Sequence, residues 1–538
     1  MKASRRTVLA AATGMAALSG CSPAAQQRSA TTLTYLESIF FTTLYPPAGG
    51  FYPNSGVLNN VTDRLLHQDP RTLELHPWIA SELPQVNADS TMCTFRLRPG
   101  VTHSDGSPVD AANVVRNFDL YGLGDKTRRL TVSEQINNYQ RGEVVDERTV
   151  RFHFSKPSPG FAQATSTMNA GLLSNATLQR SLEGFGPGSA TSIVGSGPFV
   201  ISEEELGTRL VLRAREDYDW APASLAHQGR PRLDEVRFVL AGEDSVRAGA
   251  LIADQADVAR QIEAPVERHL RDKGIDVLAA PTNGVTNQLA FRFTHPLLSD
   301  IRVRRAIMAA IDREQIIRVL FSESYPLATS PLAATALGYK DQSGHYHHDP
   351  QLSRSLLDEA GWLPQADGIR SRQGRRLALT FSQALPQPRS HEVVTMLQQQ
   401  LREVGIEVDE YPGDQAAQTA AQNQIELIQV LHTMVGRADH DVIKSQYHSA
   451  NRNVLLNALA DAPAADPELE DLLDKVASSP RAEQRARWSG MAQDLLTERA
   501  YVLPLFEEPQ VFGIRAEVKG FVTEAVGRPS FYSVHIER

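Results

Sequence analysis

The sequence contains very little cysteine, which limits how covalent bonds can hold the chain together. Cys21 and Cys93 are the two cysteines among 538 residues. Cys93 alternates with polar residues in a run typical of a strand with one buried face, so we expect it to be a small core residue. If Cys21 carries a lipid, no disulfide can form within the chain.

An excess of positive charge is also missing. The chain has 54 Lys and Arg residues against 63 Asp and Glu residues, a net charge of −9. Proteins that bind nucleic acid need a basic surface, so the composition argues against a nucleic-acid partner. After the N-terminal segment no apolar run reaches the ~20 residues of a membrane span. A chain of this length is too long for one core and predicts two or three domains.

The N-terminal segment has the pattern of an export signal. Basic residues at positions 2, 5 and 6 precede a short apolar stretch over residues 8–18. The following Leu18-Ser19-Gly20-Cys21 resembles the lipobox of bacterial lipoproteins, in which the cysteine is acylated. We therefore predict a signal peptide over 1–20, lipidation of Cys21 and a polar tether over 21–30. The expected location is the periplasm or the outer face of the cell membrane.

Two export routes remain open at this point. Residues 4–9, Ser-Arg-Arg-Thr-Val-Leu, resemble a twin-arginine signal, which would mean export of the folded chain. Paired arginines are also common in the basic region of other signal peptides.

Strand and helix patterns alternate along the rest of the chain. Residues 377–381 read as a strand, residues 390–404 as an amphipathic helix ended by Gly405, and residues 406–408 as the start of a second strand. This order predicts a βαβ unit with parallel pairing. Asp349 and Asp466 each precede a proline and are expected to cap helices, and Asp312 is expected to restart one. The pattern indicates the α/β class.

Several separated segments resemble extracellular solute-binding protein family 5, the binders of peptides, nickel and opines. They occur in the order and at the spacing of that family, from about residue 33 to the end. The segments are 60–66 (NVTDRLL), 95–101 (FRLRPGV), 103–108 (HSDGSP), 111–115 (AANVV), 194–199 (VGSGPF), 298–306 (LSDIRVRRA), 310–313 (AIDR) and 349–362 (DPQLSRSLLDEAGW).

The resemblance implies a two-lobe periplasmic-binding-protein fold, type II and cluster C, with an inserted third domain and a ligand enclosed between the lobes. We expect lobe I over 31–60, 195–285 and 505–538, the inserted domain II over 61–194, and lobe III over 286–504. A monomer is expected.

Residues that would carry enzyme chemistry are missing. The sequence contains no phosphate loop, no HExxH and no GxSxG motif, so no catalytic residue, cofactor or bound metal is expected. Adjacent histidines at 345, 347 and 348 could bind a metal, but histidines on one loop rarely face one centre, and we favour a solvent-exposed loop.

Candidate ligand contacts fall in four segments, each with a competing structural interpretation. The aromatic cluster after the first strand could equally be core or inter-lobe packing, and Asp439 could equally be a turn or cap carboxylate. In peptide-binding members of the family an aspartate at the position of Asp439 meets the α-ammonium group, although the surrounding aromatic residues are missing here. The candidates are Tyr35, Glu37, Phe40, Phe41, Tyr45, Asn287, Thr433, Gly436, Arg437, Asp439, Glu507 and Glu508.

The family resemblance implies a substrate-binding lipoprotein of an ABC importer that delivers its solute to membrane permease subunits. The expected solute is a short peptide or peptide-like molecule, with Asp439, Glu507 and Glu508 opposing positive charge and Arg437 opposing a carboxylate. A metal chelate or an opine is the alternative on the same scaffold. A secreted hydrolase and a structural or sensory lipoprotein are disfavoured alternatives.

Overall fold

A computed structural model describes residues 29–451, 456 and 466–537 of the chain. The expected signal peptide, the acylated Cys21 and most of the expected tether lie outside these residues. Within the described part, every helix is too short or too polar to cross a membrane.

The helices are distributed along the whole described chain. Their bounds are α1 Tyr52–Val61, α2 Ala111–Leu123, α3 Phe161–Ala164, α4 Asp244–Ile252, α5 Ala264–Asp272, α6 Ile301–Ala310, α7 Arg313–Leu320, α8 Pro350–Glu359, α9 Ser390–Arg402, α10 Gln415–Ala421, α11 Val442–Tyr447, α12 Pro467–Ser478 and α13 Ala482–Glu498. Short 3-10 helices cover Pro46–Ala48, Met168–Ala170, Thr177–Gln179, Leu182–Phe185, Ala190–Ser192 and Ser343–His345.

The strands are mostly short. Their bounds are β1 Thr32–Glu37, β2 Leu66–Gln68, β3 Leu75–Pro77, β4 Gln85–Val86, β5 Met92–Arg96, β6 Tyr139–Asp146, β7 Thr149–Phe154, β8 Phe199–Glu205, β9 Arg209–Ala214, β10 Glu235–Leu240, β11 Val258–Arg260, β12 Ile275–Ala280, β13 Gly284–Phe291, β14 Leu363–Pro364, β15 Arg370–Arg372, β16 Arg375–Arg376, β17 Ala378–Phe381, β18 Glu407–Glu410, β19 Val430–Gly436, β20 Val502–Phe506, β21 Gln510–Arg515, β22 Val518–Lys519, β23 Val522–Thr523, β24 Pro529–Ser530 and β25 His535–Ile536.

A seven-stranded sheet, here the first sheet, gathers distant parts of the chain. Its strand order is β12-β21-β11-β1-β10-β9-β8. Strand β1 lies in the middle and pairs in parallel with both β10 and β11, while the other pairings are antiparallel. Strand β21, from the last 30 residues of the chain, therefore lies in the same sheet as the first strand of the described chain.

A five-stranded sheet, here the second sheet, has the order β18-β17-β19-β13-β20. Strands β17 and β18 are parallel and are joined through α9, which confirms the predicted βαβ unit. Strand β13 is buried at every position and pairs with β19 and β20 along its two edges. Helices α8 and α12 begin as predicted, since Asp349 accepts from the backbone of Leu352 and Asp466 from that of Leu469.

A smaller antiparallel sheet, here the third sheet, has the order β4-β5-β7-β6 and packs against α2. Cys93 lies on β5 with 3% of its surface exposed, so the prediction of a core cysteine is confirmed. Alternate residues of β7 are buried, as expected for a sheet with one covered face.

The chain passes between the first and second sheets twice, at residues 281–283 and 507–509. The expected limits of lobe III are residues 286 and 504. Strands β13 and β20 of the second sheet extend two residues beyond them, since Gly284 pairs with Gly436 and Phe506 with Asn287. A hydrogen bond of 2.8 Å from the Thr282 hydroxyl to the Glu508 carbonyl ties the two crossings together. The two crossings therefore form a short double connection between the first and second sheets.

Candidate functional site

A cavity of about 300 Å³, here the central cavity, lies where the three sheet regions meet. All three regions supply its lining. From the first-sheet region come Gly50, Phe51, Tyr52, Glu524, Ala525, Val526 and Arg528; from the third-sheet region His67, Gln68, Glu134, Gln135, Ser166, Thr167, Met168 and Asn169; and from the second-sheet region Leu385, Pro386, Gln387, Gln415, Met434, Val435, Gly436, Arg437 and Ala438. Its volume is at the lower end of the range for small-molecule sites.

A second, smaller cavity of about 30 Å³, here the side cavity, borders the central cavity near the crossings. The two cavities share Phe51, Tyr52, Pro386 and Gln387 in their linings. The side cavity adds Arg260 and Glu508, which are both buried. The side cavity is therefore lined by an arginine and by a buried carboxyl group.

Tyr52, at the start of α1, joins the two cavities. Its hydroxyl donates to the Val526 carbonyl at 3.0 Å. The guanidinium carbons of Arg528 and Arg260 lie 4.8 and 5.7 Å from the centre of its ring, within the range of cation–π contacts. Burial raises the pKa of Tyr52, so the ring is a neutral platform between two cations.

Arg437 and Asp439 form a buried ion pair at the end of β19. The Arg437 Nε and Nη2 atoms donate to the Asp439 carboxylate at 2.9–3.0 Å, and both side chains are about 5% exposed. Burial alone would lower the pKa of Arg437, but the nearby carboxylates of Asp439, Glu134 and Asp441 together outweigh it and the pKa is raised. The Nη1 atom has no hydrogen-bond partner among the described residues. Arg437 lines the central cavity, whereas Asp439 lies behind it.

Arg528 reaches the same cavity from the C-terminal segment. Its Nε donates to the Ser55 hydroxyl at 2.5 Å and its Nη2 to the Gly50 carbonyl at 3.0 Å. As for Arg437, the Nη1 atom has no partner in the described part of the chain. Glu524, which also lines the cavity, accepts from Arg64. Burial lowers the pKa of Arg528, as expected of a cation bonded to neutral groups.

Glu508, Asn287 and His432 form a buried chain of hydrogen bonds at the crossings. The Asn287 amide donates to Glu508 Oε2 at 2.7 Å, and Asn287 Oδ1 accepts from His432 Nε2 at 2.6 Å. Burial raises the pKa of Glu508 to about 8 and lowers that of His432 to about 3, so both side chains are neutral at pH 7. Glu508 Oε1 has no partner among the described residues and borders the side cavity.

Gly436 leaves room for close packing beside the central cavity. A Cβ atom at this position would lie 2.9 Å from the Tyr52 hydroxyl oxygen and 3.1 Å from the Thr282 carbonyl oxygen. A larger residue would therefore displace either the shared tyrosine or the first crossing.

The aromatic candidates after β1 pack in or against the core and line neither cavity, which agrees with the alternative interpretation as core packing. Tyr35 packs edge-on against Phe238 and Phe531, with ring centres 5.0 and 5.3 Å apart. Tyr45 is fully buried and donates to the Thr131 carbonyl, and Phe41 belongs to the same core. Phe40 packs against that core. The sequence pattern could not separate core from cavity because both call for apolar rings.

The remaining candidates lie outside the two cavity linings, and most of them bond to other residues of the protein. Glu37 is 2% exposed and pairs with Arg260 through three contacts of 2.5–3.0 Å, so it holds an arginine of the side cavity. Glu507 accepts from the Ala334 backbone at 2.9 Å, and Thr433 is half-buried on β19 outside both linings. Asn287 also lies one step behind the cavity, bonded to Glu508.

The structure therefore brings Gly436 and Arg437 to the central cavity and Glu508 to the side cavity, while their part in ligand binding stays a prediction. Sequence reasoning missed Tyr52, Arg260 and Arg528. No local motif marks these three, because they are separated by more than 200 residues and converge through the first sheet. Among the described residues, no cluster of three or more His, Cys, Asp and Glu side chains could hold a metal ion.

Comparisons with known proteins agree on one fold. The chain is 29% identical to Protein XP55 of Streptomyces lividans over 334 residues, which is 60% of this chain and 56% of that protein. It is 22% identical to the dipeptide-binding protein of Escherichia coli K12 over 503 residues, with 88% of this chain and 89% of that protein covered.

The solved structure of NikA from Brucella suis in complex with Fe(III)-EDTA superposes with a TM-score of 0.78 at 22% identity, covering 94% of this chain and all of that one. At this identity the superposition shows the fold, here the α/β fold of periplasmic binding proteins. The family model described as "Bacterial extracellular solute-binding proteins, family 5 Middle" matches residues 74–453, which is more than half of the chain. The chain belongs to the bacterial extracellular solute-binding proteins of family 5.

Proposed function

We propose that this protein captures a short peptide or peptide-like solute in the central cavity and delivers it, chemically unchanged, to the permease of an ABC importer. The observation that carries this proposal is the position of the cavity, which three regions of the chain line together beside a double crossing. Solute-binding proteins of two lobes close on their ligand by bending at such connections.

Two observations, one on relatives and one on the cavity, support this class of solute. The relative from Escherichia coli is a dipeptide-binding protein, and others in the same comparison are glutathione-binding proteins. The central cavity combines apolar residues such as Phe51 and Met434 with charged groups at fixed positions. That mixture suits a small solute with an extended backbone and charged ends.

A metal chelate or an opine is a second candidate. Arg437 and Arg528 present two guanidinium groups to the cavity, and guanidinium groups bind carboxylates in a bidentate manner. A metal ion would reach this site together with its own carboxylate ligands. The related fold that holds Fe(III)-EDTA is an example of such a solute.

The location follows from the N-terminal sequence. We assign residues 1–20 to a signal peptide and Cys21 to lipid attachment, so that the mature protein is held at the outer face of a membrane as a monomer and meets the permease there. Two acyl chains suffice for stable anchoring of a folded domain. Membership of the solute-binding family favours a binding protein over a secreted hydrolase.

Blocking the cavity tests the proposed function. Met434 lines the central cavity, and Met491 is 40% exposed on α13 away from it. We expect Met434→Trp to abolish calorimetric binding of dipeptides, tripeptides and glutathione, and Met491→Trp to leave it unchanged. Chromatography of the bound solute should return it intact. Binding that persists in Met434→Trp, or a solute recovered in cleaved form, would contradict the proposal.

A further inference from the structure

The residues between α1 and β8, which contain the third sheet, are built onto the first sheet. The chain enters this third-sheet region from α1 and leaves it into β8 of the first sheet. The two also share one hydrophobic core, in which Phe95 of β5 and Phe152 of β7 belong to the same buried cluster as Tyr35 of β1. They therefore form one body, and opening at the crossings moves the second-sheet region away from both.

A buried hydrogen bond joins the third-sheet region to the second-sheet region at the central cavity. The Gln68 amide nitrogen donates to the Ala438 carbonyl at 2.9 Å and to the Leu73 carbonyl at 3.2 Å. Gln68 and Ala438 are both 6% exposed, and both line the cavity. Because the bond to Leu73 holds the amide within its own region, opening at the crossings breaks the bond to Ala438 and uncovers this side of the cavity.

A second contact between the same two regions lies outside both cavities. Gly160 precedes α3, and a Cβ atom at this position would overlap Oδ2 of Asp441, which precedes α11. Arg485 of α13 donates to the same carboxylate, and both charged side chains are buried. These three residues line neither cavity. The two regions therefore fit together at this point because residue 160 has no side chain.

We propose that the third-sheet region is a clasp, which holds the second-sheet region in the closed position and so slows the release of solute from the central cavity. The hydrogen bond from Gln68 and the close fit of Gly160 against Asp441 form this clasp. The proposal rests on the proposed function for the presence of a solute, but both contacts join protein groups alone. Gly160 is a positioning residue, since it acts through the placement of the second-sheet region and lies outside the cavity.

Gly160→Ala tests the clasp without changing the cavity wall. The Gly160 backbone has φ −76° and ψ −6°, which alanine adopts without strain, so the substitution adds only a methyl group. This group should wedge the two regions apart and speed the release of two probes, glutathione and the dipeptide Met-Leu, by about tenfold or more in stopped-flow dilution. Gly249→Ala in α4 is the matched control, since its methyl group meets no atom within 4 Å and lies outside both cavity linings.

Spin labels measure the closure itself. Val145 of the third sheet and Val319 of α7 are 43% and 62% exposed, so cysteines placed there accept labels, whereas Cys93 is buried. Without added solute, electron–electron resonance should find part of the wild-type population at a short, closed distance, and Gly160→Ala should lose that fraction. In the Asp441→Ala background the same methyl group should change nothing, because the oxygen that it would overlap is removed.

Gln68→Met removes the other contact and does not depend on residue 160. Methionine has a similar length but no donor for the Ala438 carbonyl, so both probes should again leave faster and the closed fraction should fall. This variant also decides the proposal if Gly160→Ala fails to fold.

The outcomes separate the clasp from the proposed function. Release rates and closed fractions that equal those of the wild type in both variants would overturn the clasp, as would a wild type without any closed fraction. A methyl group at residue 160 that has the same effect with and without the Asp441 carboxylate would also overturn it. If the wild type binds neither glutathione nor Met-Leu, peptide capture is contradicted, and the label distances still decide the clasp.

Discussion

At the scale of single residues, the buried carboxyl of Glu508 makes the stability of the protein depend on pH. Burial raises its pKa from 4.5 to about 8, so the folded chain holds this proton more tightly than the unfolded chain does. Its contribution to stability is therefore fully present below pH 4.5 and is lost as the pH rises toward 8.

Glu508→Gln should remove this dependence, because an amide keeps an acceptor for Asn287 without ionising. We expect the free energy of unfolding of the variant to match that of the wild type near pH 4.5. At pH 8 it should exceed the wild-type value, by on the order of a few kcal/mol at most. Urea unfolding at pH 4.5 and at pH 8 measures this difference. The exposed Glu483→Gln is the control, and a pH dependence identical in all three proteins would refute the assignment.

Gly436 shows how one missing side chain sets the geometry of the cavity. A Cβ atom would lie 2.9 Å from the Tyr52 hydroxyl oxygen, which a hydrogen bond to Val526 holds in place. Gly436→Ala should lower the free energy of unfolding by about 1–3 kcal/mol. In contrast, Gly249→Ala in α4 meets no atom within 4 Å and should raise it by about 0.5–1 kcal/mol. Equal effects in chemical denaturation would contradict this steric account.

At the scale of helices and strands, the sequence predicted local structure well. The βαβ unit of β17, α9 and β18 and the caps Asp349 and Asp466 follow from apolar spacing and Asp-Pro pairs, and the structure confirms them. Cys93 was predicted correctly because alternation along β5 reports burial. Such patterns depend on neighbours within a few residues, so they can be recognised in the sequence.

The two caps should differ in strength, because their carboxylates have different numbers of partners. Asp349 caps α8, whereas Asp466 caps α12 and also accepts from the Tyr501 hydroxyl at 2.9 Å and pairs with Arg499. Asp349→Ala should cost about 1 kcal/mol and Asp466→Ala about 2–4 kcal/mol. Thermal unfolding of both variants measures the difference. A larger cost at Asp349 would show that the additional contacts of Asp466 contribute nothing.

At the scale of the whole molecule, the sequence could not identify the site. The cavity combines Tyr52, Arg437 and Arg528, whose proximity depends on pairings such as β11 with β21, more than 250 residues apart. The aromatic residues after β1 resembled a binding cluster, yet Tyr35 packs in the core, since apolar patterns do not distinguish a core from a cavity wall. Asp439, a candidate either for an ammonium contact or for a turn or cap carboxylate, bonds to Arg437, a pairing that the local sequence did not indicate.

Two chain crossings connect the sheets, and this arrangement predicts closure on binding. Small-angle scattering should give a smaller radius of gyration with saturating solute than without it. The cavity-blocked Met434→Trp is the control and should show no change on addition of the same solute. A wild-type radius that stays constant at saturation would exclude closure as part of the binding step.

Native mass spectrometry of the protein purified from its own cells tests the central claim most directly, because clefts of this kind retain their solute. We expect one short peptide or peptide-like solute per wild-type chain, with the same mass before and after release by denaturation, and none in Met434→Trp. A wild-type chain that carries no solute and takes up none from a cell extract, or one that releases a cleaved product, would contradict the account of this protein as a carrier of an unchanged solute.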